Sequence, residues 1–268
     1  MSSDNKDKPR YGFVTLRYFT ITGLIGIIIL IGSLIAYMYP LIAPPTNLVF
    51  LFVGIPTAYV FLQIGLSYVP LYFSMLRLHR IRDRWASIVK AAGLGSEISI
   101  LDVGCGTGTV SIGLAHQLPQ AHVTGIDIFQ GMSGHSALQP TLNAQLENVA
   151  DRVSFRQGNL LNIPFPEKSF DLVTAGSVLH EVHGDKLRLQ ALREIMRVLK
   201  PGGKFISVEM LKDRRMKLFL LLFSRVWESK NYWRLLHEQG GFENQRAEEY
   251  AGFLTLGIFT CEKSSIIE

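Results

Sequence analysis

The stretch SILDVGCGTGTV, residues 99–110, decides how this chain is read. A short apolar run stops at Asp102 and enters three alternating glycines, Gly104, Gly106 and Gly108. Glycine has no Cβ, so such a turn bends sharply and lets backbone approach a ligand closely, while the helix that follows offers free N–H groups. In open parallel sheets, ligands bind beyond the carboxyl ends of the strands, where strand order reverses. The pattern indicates a nucleotide.

Details of the turn narrow the choice. A dinucleotide fold shows G-x-G-x-x-G, with the helix N-terminus aimed at a pyrophosphate. Here the spacing is G-x-G-x-G, and Thr109 stands where the third dinucleotide glycine belongs. No G-K-[ST] follows, which excludes a P-loop. A carboxylate at the turn, Asp102, repels phosphate and favours a cationic ligand such as an ammonium or a sulfonium.

Outward from the turn, a second carboxylate ends HVTGID nineteen residues after Gly108. At the tip of the neighbouring strand, Asp127 can accept both hydroxyls of a ribose; the plainer reading is a cap or a solvated turn. Next comes FRQGNLLNIPF, in which Asn159 lies two residues past the third strand. Its amide offers an acceptor and donors to an adenine edge, between apolar neighbours Leu160 and Leu161.

Between these points the pattern alternates. Short β-rich runs (ISILDV, HVTGIDI, VSFRQ, FDLVTAG, GKFISVEM) are separated by TVSIGLAHQL, ALQPTLNAQLENV and DKLRLQALREIMRVL, which read as helices. Strand and helix in alternation predict an α/β domain whose mainly parallel sheet is covered on both faces. The tail EYAGFLTLGIFTCEK predicts an antiparallel edge hairpin turning around residues 255–257.

ILDVGCGTG, GIDI, GNLLNIPFPEKSFDLV and REIMRVLKPGGKFI, in this order and spacing, resemble the class I S-adenosylmethionine-dependent methyltransferases, in the group of ubiquinone/menaquinone and sterol C-methyltransferases. The resemblance covers residues 97–262. It implies a Rossmann-like seven-stranded sheet and S-adenosyl-L-methionine as cofactor. Asp102, Gly104, Cys105, Gly106, Thr107 and Gly108 then border the cofactor's amino-acid end, Asp127 holds the ribose and Ile128 packs on adenine. Asn159 and Leu160 match the adenine-edge position, where many relatives carry Asp, and Ala175 and Gly176 match the segment beside the methionine moiety. LKPGG, residues 199–203, matches a structural turn into the fifth strand.

Methyl transfer displaces a thioether from a carbon already activated by positive sulfur, so alignment and exclusion of water carry most of the catalysis. A base is needed only where the acceptor must lose a proton. The candidates sit in GSVLHEVHGDK: His180 and Glu181 read either as substrate-orienting or base residues, or as helix-capping and packing residues. HEVH is not H-E-x-x-H, and no metal ligand set is apparent. Cys105 lies between glycines where a small residue fits, and the other histidines read as surface or packing residues.

The front of the chain differs. Residues 18–76 contain no Asp, Glu, Lys, Arg or His. PLIAPPTN, residues 40–47, divides this run into apolar segments 18–39 and 48–69, each of 22 residues. As helices they reach about 33 Å, enough for a hydrocarbon core of about 30 Å. A cleaved signal carries a shorter apolar region and no second equal segment. Residues 18–73 therefore read as a transmembrane hairpin. Lys and Arg flank it on both sides and are absent from its loop, which predicts a cell-membrane protein with residues 1–17 and both termini cytoplasmic. Residues 74–96 read as an amphipathic juxtamembrane helix and residues 97–268 as the catalytic domain.

Charge follows this division. Residues 1–90 carry nine Lys/Arg against three Asp/Glu, net +6, and residues 91–268 eighteen against nineteen, net −1, summing to the chain's +5. The basic excess thus belongs to the membrane flank, where anionic lipid attracts it, and argues for no nucleic-acid partner. Residues 211–227 place four basic residues before a continuous apolar run, which reads as a core helix or as an interfacial helix admitting an amphiphile. The GMSGHS loop, residues 131–136, is a candidate lid. The sequence implies a lipid bilayer and a hydrophobic small molecule as partners and leaves the oligomeric state open. Its rivals are a non-catalytic cofactor-binding membrane scaffold or sensor and a nicotinamide-dependent oxidoreductase.

Overall fold

Seven strands follow the alternating pattern: β1 (Ser99–Val103), β2 (His122–Asp127), β3 (Val153–Gln157), β4 (Phe170–Gly176), β5 (Leu199–Met210), β6 (Glu243–Tyr250) and β7 (Leu256–Glu262). They form one sheet in the order β3-β2-β1-β4-β5-β7-β6. Strands β1 to β5 run parallel, and β7 pairs antiparallel with both β5 and β6. This is the expected mainly parallel sheet with an antiparallel edge hairpin. The computed structural model describes residues 9, 16–38, 49–65, 85, 87–130, 138–214, 217, 227–250 and 255–265.

Both faces of the sheet are buried, because consecutive residues of the central strands feed different cores. Ile100, Leu172 and Ile206 join one cluster, and Leu101, Val173 and Phe205 the other. Helices α2 (Thr109–Gln117) and α3 (Leu138–Leu146) supply Ile112, Leu114 and Ala144 to the first cluster. Helices α4 (Asp185–Val198) and α5 (Lys230–Gln239) supply Leu192, Ile195, Trp233 and Leu236 to the second. Asp185 in the first turn of α4 and Arg197 in its last complement the helix dipole. Ser229 caps α5 by accepting a hydrogen bond from Tyr232 N at 3.2 Å.

Strand order reverses between β1 and β4. Val103, the last residue of β1, pairs with Ile126 on one side and with Ala175 on the other. The carboxyl ends of β1, β2 and β4 therefore open together at the switch point.

Several local readings change. Leu256 and Gly257 pair with Tyr250 and Glu249, so they belong to β7 rather than to the hairpin turn. The connection, residues 251–254, lies outside the described residues. LKPGG is part of β5, which slips register against β4 between Phe170 and Leu172. Helix α5 and the first half of β6 gave no signal in the apolar pattern.

Helix α1 (Leu16–Met38) is long and apolar enough to cross a membrane, with a mean hydropathy of 2.2 over Thr20–Tyr37. It is the only such helix among the described residues. In the second expected segment, a π-helical turn (Phe50–Gly54) opens a shorter apolar helix ending at Gly65. The two pack through small residues. A Cβ on Gly26 would fall 2.8 Å from Leu62 N, one on Gly23 3.4 Å from Gly65 Cα, and Ser33 Oγ abuts Gly54. Small side chains permit such close backbone approach.

In the juxtamembrane stretch, residues 85 and 87–91 are helical. Trp85 and Val89 are buried in the same core as Ile100 and Ile112. Their apolar stripe therefore packs on the sheet domain instead of facing lipid.

Candidate functional site

The glycine turn is held from within. Gly104 N and Cys105 N both donate to Ile126 O, at 2.8 and 3.1 Å, and Gly108 N donates to Cys105 O at 2.8 Å. Gly106 N donates to Asp127 Oδ2 at 3.0 Å. Gly104 and Gly108 have φ of 68° and 83°, in the region that favours glycine, and a Cβ on Gly104 would overlap the Val178 side chain. Four loop N–H groups are thus spent on protein acceptors. A phosphate would find few donors left.

Asp102 is 1% exposed. Its Oδ2 accepts from Ser111 N at 3.1 Å and Ser111 Oγ at 2.5 Å, and its Oδ1 from Thr174 Oγ1 at 2.9 Å. Burial raises its pKa to about 6, against these hydrogen bonds. Asp102 therefore ties the first turn of α2 and strand β4 to the end of β1. Of its roughly four acceptor sites, three go to protein. This departs from the expectation that its carboxylate chiefly serves a ligand cation.

Asp127 is arranged differently. Its Oδ1 accepts from Phe129 N at 2.8 Å and its Oδ2 from Gly106 N. Each oxygen keeps a lone pair, so an oriented carboxylate faces the switch point with room for two more donors, as a vicinal diol supplies. The next residue, Ile128, is 45% exposed, an apolar shelf suited to an aromatic base. This acceptor and apolar shelf fit the ribose and purine of an adenosyl group. Asn159 Oδ1 accepts from Leu161 N at 2.8 Å, in a local turn. The side-chain amide NH₂ is then the group of Asn159 offered outward, while Leu160 is buried.

Thr107 is buried, and Asn143 of α3 donates to its carbonyl at 2.9 Å, docking α3 on the turn. The Cys105 thiol is buried and pushed well above its ordinary pKa, first by burial and then by Asp102 and Asp127. It stays a neutral packing group. Ala175 is fully buried, and Gly176 beside it reaches the strand end, where a Cβ would sit 3.0 Å from Val110 Cγ2 and 3.9 Å from Trp85 Cζ2.

After β4 the chain turns over the end of β5. Ser177 N donates to Val208 O at 2.7 Å, and Leu179 N to Glu209 Oε1 at 2.9 Å. His180, in a 3₁₀ turn (Leu179–Glu181), places Nδ1 2.9 Å from Glu209 Oε2. Its ring stacks on Trp227 with centroids 6.4 Å apart. Burial alone lowers the pKa of His180, but the hydrogen bond and charge of Glu209, aided by Glu181, outweigh it, so the net shift is upward. Partial desolvation raises the Glu181 carboxyl against the opposing pull of His180, and Asp127 and Glu209 add to the rise. Arg188 anchors the segment by donating from Nε to Val182 O at 2.8 Å.

The structure thus brings Asp102, the glycine turn, Asp127, Ile128, Gly176 and the His180 segment to one edge of the sheet. Sequence reasoning missed Ser111, Thr174, Glu209, Trp85 and Trp227. One signal was present for Glu209: FISVEM carries a carboxylate as the penultimate residue of an apolar strand, as ILDV does. His237, read as a surface or packing residue, is buried and its pKa falls to about 3 for that reason. Of residues 211–227 only 211–214, 217 and 227 are described, and the 131–136 loop lies outside the described residues.

Residues 101–207 match the family model of the methyltransferase domain. The demethylmenaquinone methyltransferase of Listeria monocytogenes serotype 4a (strain HCC23) is 40% identical over 112 residues, 41% of this chain. The match spans 44% of that relative, less than half of its length. Among solved structures, a SAM-dependent methyltransferase from Aquifex aeolicus superposes with a TM-score of 0.54 and 21% identity, over 65% of this chain and 87% of that one. The [4+2]-cyclase SpnF gives 0.55 and 23% identity, over 68% and 80%. At these identities what is shared is the fold, and a cyclase among the neighbours shows that the fold serves more than one chemistry.

Proposed function

We propose, for a chain that belongs to the class I S-adenosylmethionine-dependent methyltransferases, that it is a membrane-anchored enzyme which methylates a small, hydrophobic, quinone-like acceptor. The observation that carries this reading is the pairing of an oriented Asp127 beside an exposed Ile128 with a glycine turn in which four N–H groups are spent on protein acceptors. That combination suits an adenosyl sulfonium and disfavours the pyrophosphate of a nicotinamide cofactor.

When bound, the cofactor supplies a methyl group on a positively charged sulfur. Asp127 holds the ribose, Ile128 and the Asn159–Leu160 segment hold the base, and the turn from Gly104 to Gly108 lies along the amino-acid end. His180 and Glu181 stand at the cleft beyond β4, where they orient the acceptor or take its proton. Fixing the partners in line and excluding water is worth about 7–11 kcal/mol of barrier, which is why no larger catalytic set is required.

Two features support an apolar acceptor at a membrane. Helix α1 is a candidate span, and the +6 of residues 1–90 flanks the apolar run on both sides. Helix α3, docked on the glycine turn, exposes Leu138, Leu142 and Leu146 at a four-residue spacing on one outward stripe. The Listeria relative, a demethylmenaquinone methyltransferase by name, makes a quinone-type ring the first acceptor to try. In this arrangement segments 18–39 and 48–69 form the hairpin, and both termini and the catalytic domain face the cytoplasm, following the Lys and Arg distribution.

Incubating membranes containing the full-length protein with methyl-labelled S-adenosylmethionine tests the reading. Label is expected in the fraction extracted by organic solvent. Label confined to water-soluble metabolites or protein overturns the acceptor. Saturable cofactor binding without any transfer favours the rival scaffold or sensor.

A further inference from the structure

We infer that Glu209 is a positioning residue that makes His180 the base for the acceptor, an inference that rests on the methyltransferase reading above. Glu209 is the penultimate residue of β5 and is 0% exposed. A carboxylate that deep in a core is rare and demands partners. It has two, and both belong to the turn after β4. Oε1 accepts from Leu179 N and Oε2 lies 2.9 Å from His180 Nδ1.

A carboxylate only accepts, so the His180 proton resides on Nδ1 and donates to Glu209. Nε2 is left bare, with a lone pair. Backbone capture by Oε1 fixes the carboxylate, the carboxylate fixes the imidazole's tautomer and rotation, and Trp227 stacks on the ring from the side. The imidazole side chain keeps 13% of its surface exposed, so the ring is not sealed off from a small molecule. Val178, two residues earlier, packs against Gly104, which places this dyad beside the glycine turn. The charged groups facing the imidazole are Glu209 from β5, Glu181 from its own turn and Arg188 from α4, the last opposing protonation.

The acceptor class follows from the base. A hydroquinone or phenol with a free ring position is weakly acidic and becomes nucleophilic as it loses its O–H proton. The acceptor passes that proton to His180 Nε2 while its oxygen bonds the methyl group, or while its ring carbon does; in the second case that carbon then gives up its own hydrogen as a proton and the oxygen regains one, which restores the aromatic ring. The S–CH₃ bonding pair stays on sulfur, leaving a neutral thioether, and the imidazolium is held against Glu209 until it releases the proton to water.

Nitrogen NMR on full-length protein labelled with ¹⁵N-histidine in detergent tests the dyad without turnover, with His180→Gln identifying the signals. His180 should carry its proton on Nδ1 and titrate above the ordinary histidine value of about 6.5. Glu209→Gln should lower that midpoint by about 1 unit or more, because the stabilising charge is gone. Methyl transfer to a short-chain 1,4-naphthohydroquinone, kept reduced, should show a pH–rate profile whose rising limb moves down by the same amount, with calorimetric affinity for S-adenosylmethionine retained. Glu209→Asp should restore part of the midpoint. Equal midpoints in wild type and Glu209→Gln, a proton on Nε2, or an unmoved rate limb would each overturn the inference. Should the NMR midpoint shift while no variant methylates the hydroquinone, the acceptor reading fails and the positioning by Glu209 stands.

Discussion

Two carboxylates lie at the carboxyl ends of adjacent strands, Asp102 one residue before the end of β1 and Asp127 at the end of β2, and their surroundings differ. Asp102 spends three of its acceptor sites on Ser111 and Thr174, and burial lifts its pKa to about 6. Asp127 spends one site per oxygen on backbone and leaves a lone pair on each without a protein donor. Replacing Asp127 by Ala should weaken binding of S-adenosylmethionine by about 1–3 kcal/mol, read by calorimetry, since charge-assisted hydrogen bonds to a diol are lost. An unchanged dissociation constant would place the ribose elsewhere. The sequence located Asp127 through its distance from the glycines. It could not assign Asp102, whose partners stand 9 and 72 residues away and meet it only after β1, α2 and β4 assemble. Glu209 showed in the sequence only as a carboxylate near a strand end, and its partner could not be read for the same reason: it lies in a turn 29 residues upstream.

At the scale of elements, strands buried on both faces were the most legible, because continuous apolar runs such as ILDV and FDLV leave little choice. Strand β6 was not. Its sequence, ENQRAEEY, is polar on both sides, as suits a charged edge that discourages pairing with other chains, and no apolar alternation marks its start. Helix α5 begins polar and shows its apolar face only through Trp233 and Leu236, spaced by three. The turn after β1 depends on the turn after β4 through one close approach, Gly104 against Val178. Gly104→Ala should therefore destabilise the domain by about 2–5 kcal/mol, combining left-handed backbone strain with overpacking, and displace the His180 segment. Denaturant unfolding measures this, and a midpoint equal to wild type would show that the loop tolerates a methyl group.

For the whole molecule, the apolar front and the sheet domain meet in sequence at residues 85–91, whose Trp85 is buried near Gly176. The described residues of this stretch, 85 and 87–91, thereby carry Trp85 to the end of β4. Hydropathy foresaw two spans of 22 residues each; among the described residues α1 alone is long enough, the second segment gives a shorter apolar helix, and the small-residue contact between the two came only from packing. The sheet plan was readable because strand and helix alternate from residue 98 onward, whereas the fold by itself leaves the chemistry open, as the cyclase neighbour illustrates. What assigns the chemistry is the cleft at the β1–β4 switch. Calorimetric titration of the full-length protein in detergent with S-adenosylmethionine and, separately, with NAD tests that cleft most directly. Saturable heat with S-adenosylmethionine and none with NAD is the predicted result; saturable heat with NAD and none with S-adenosylmethionine would contradict it.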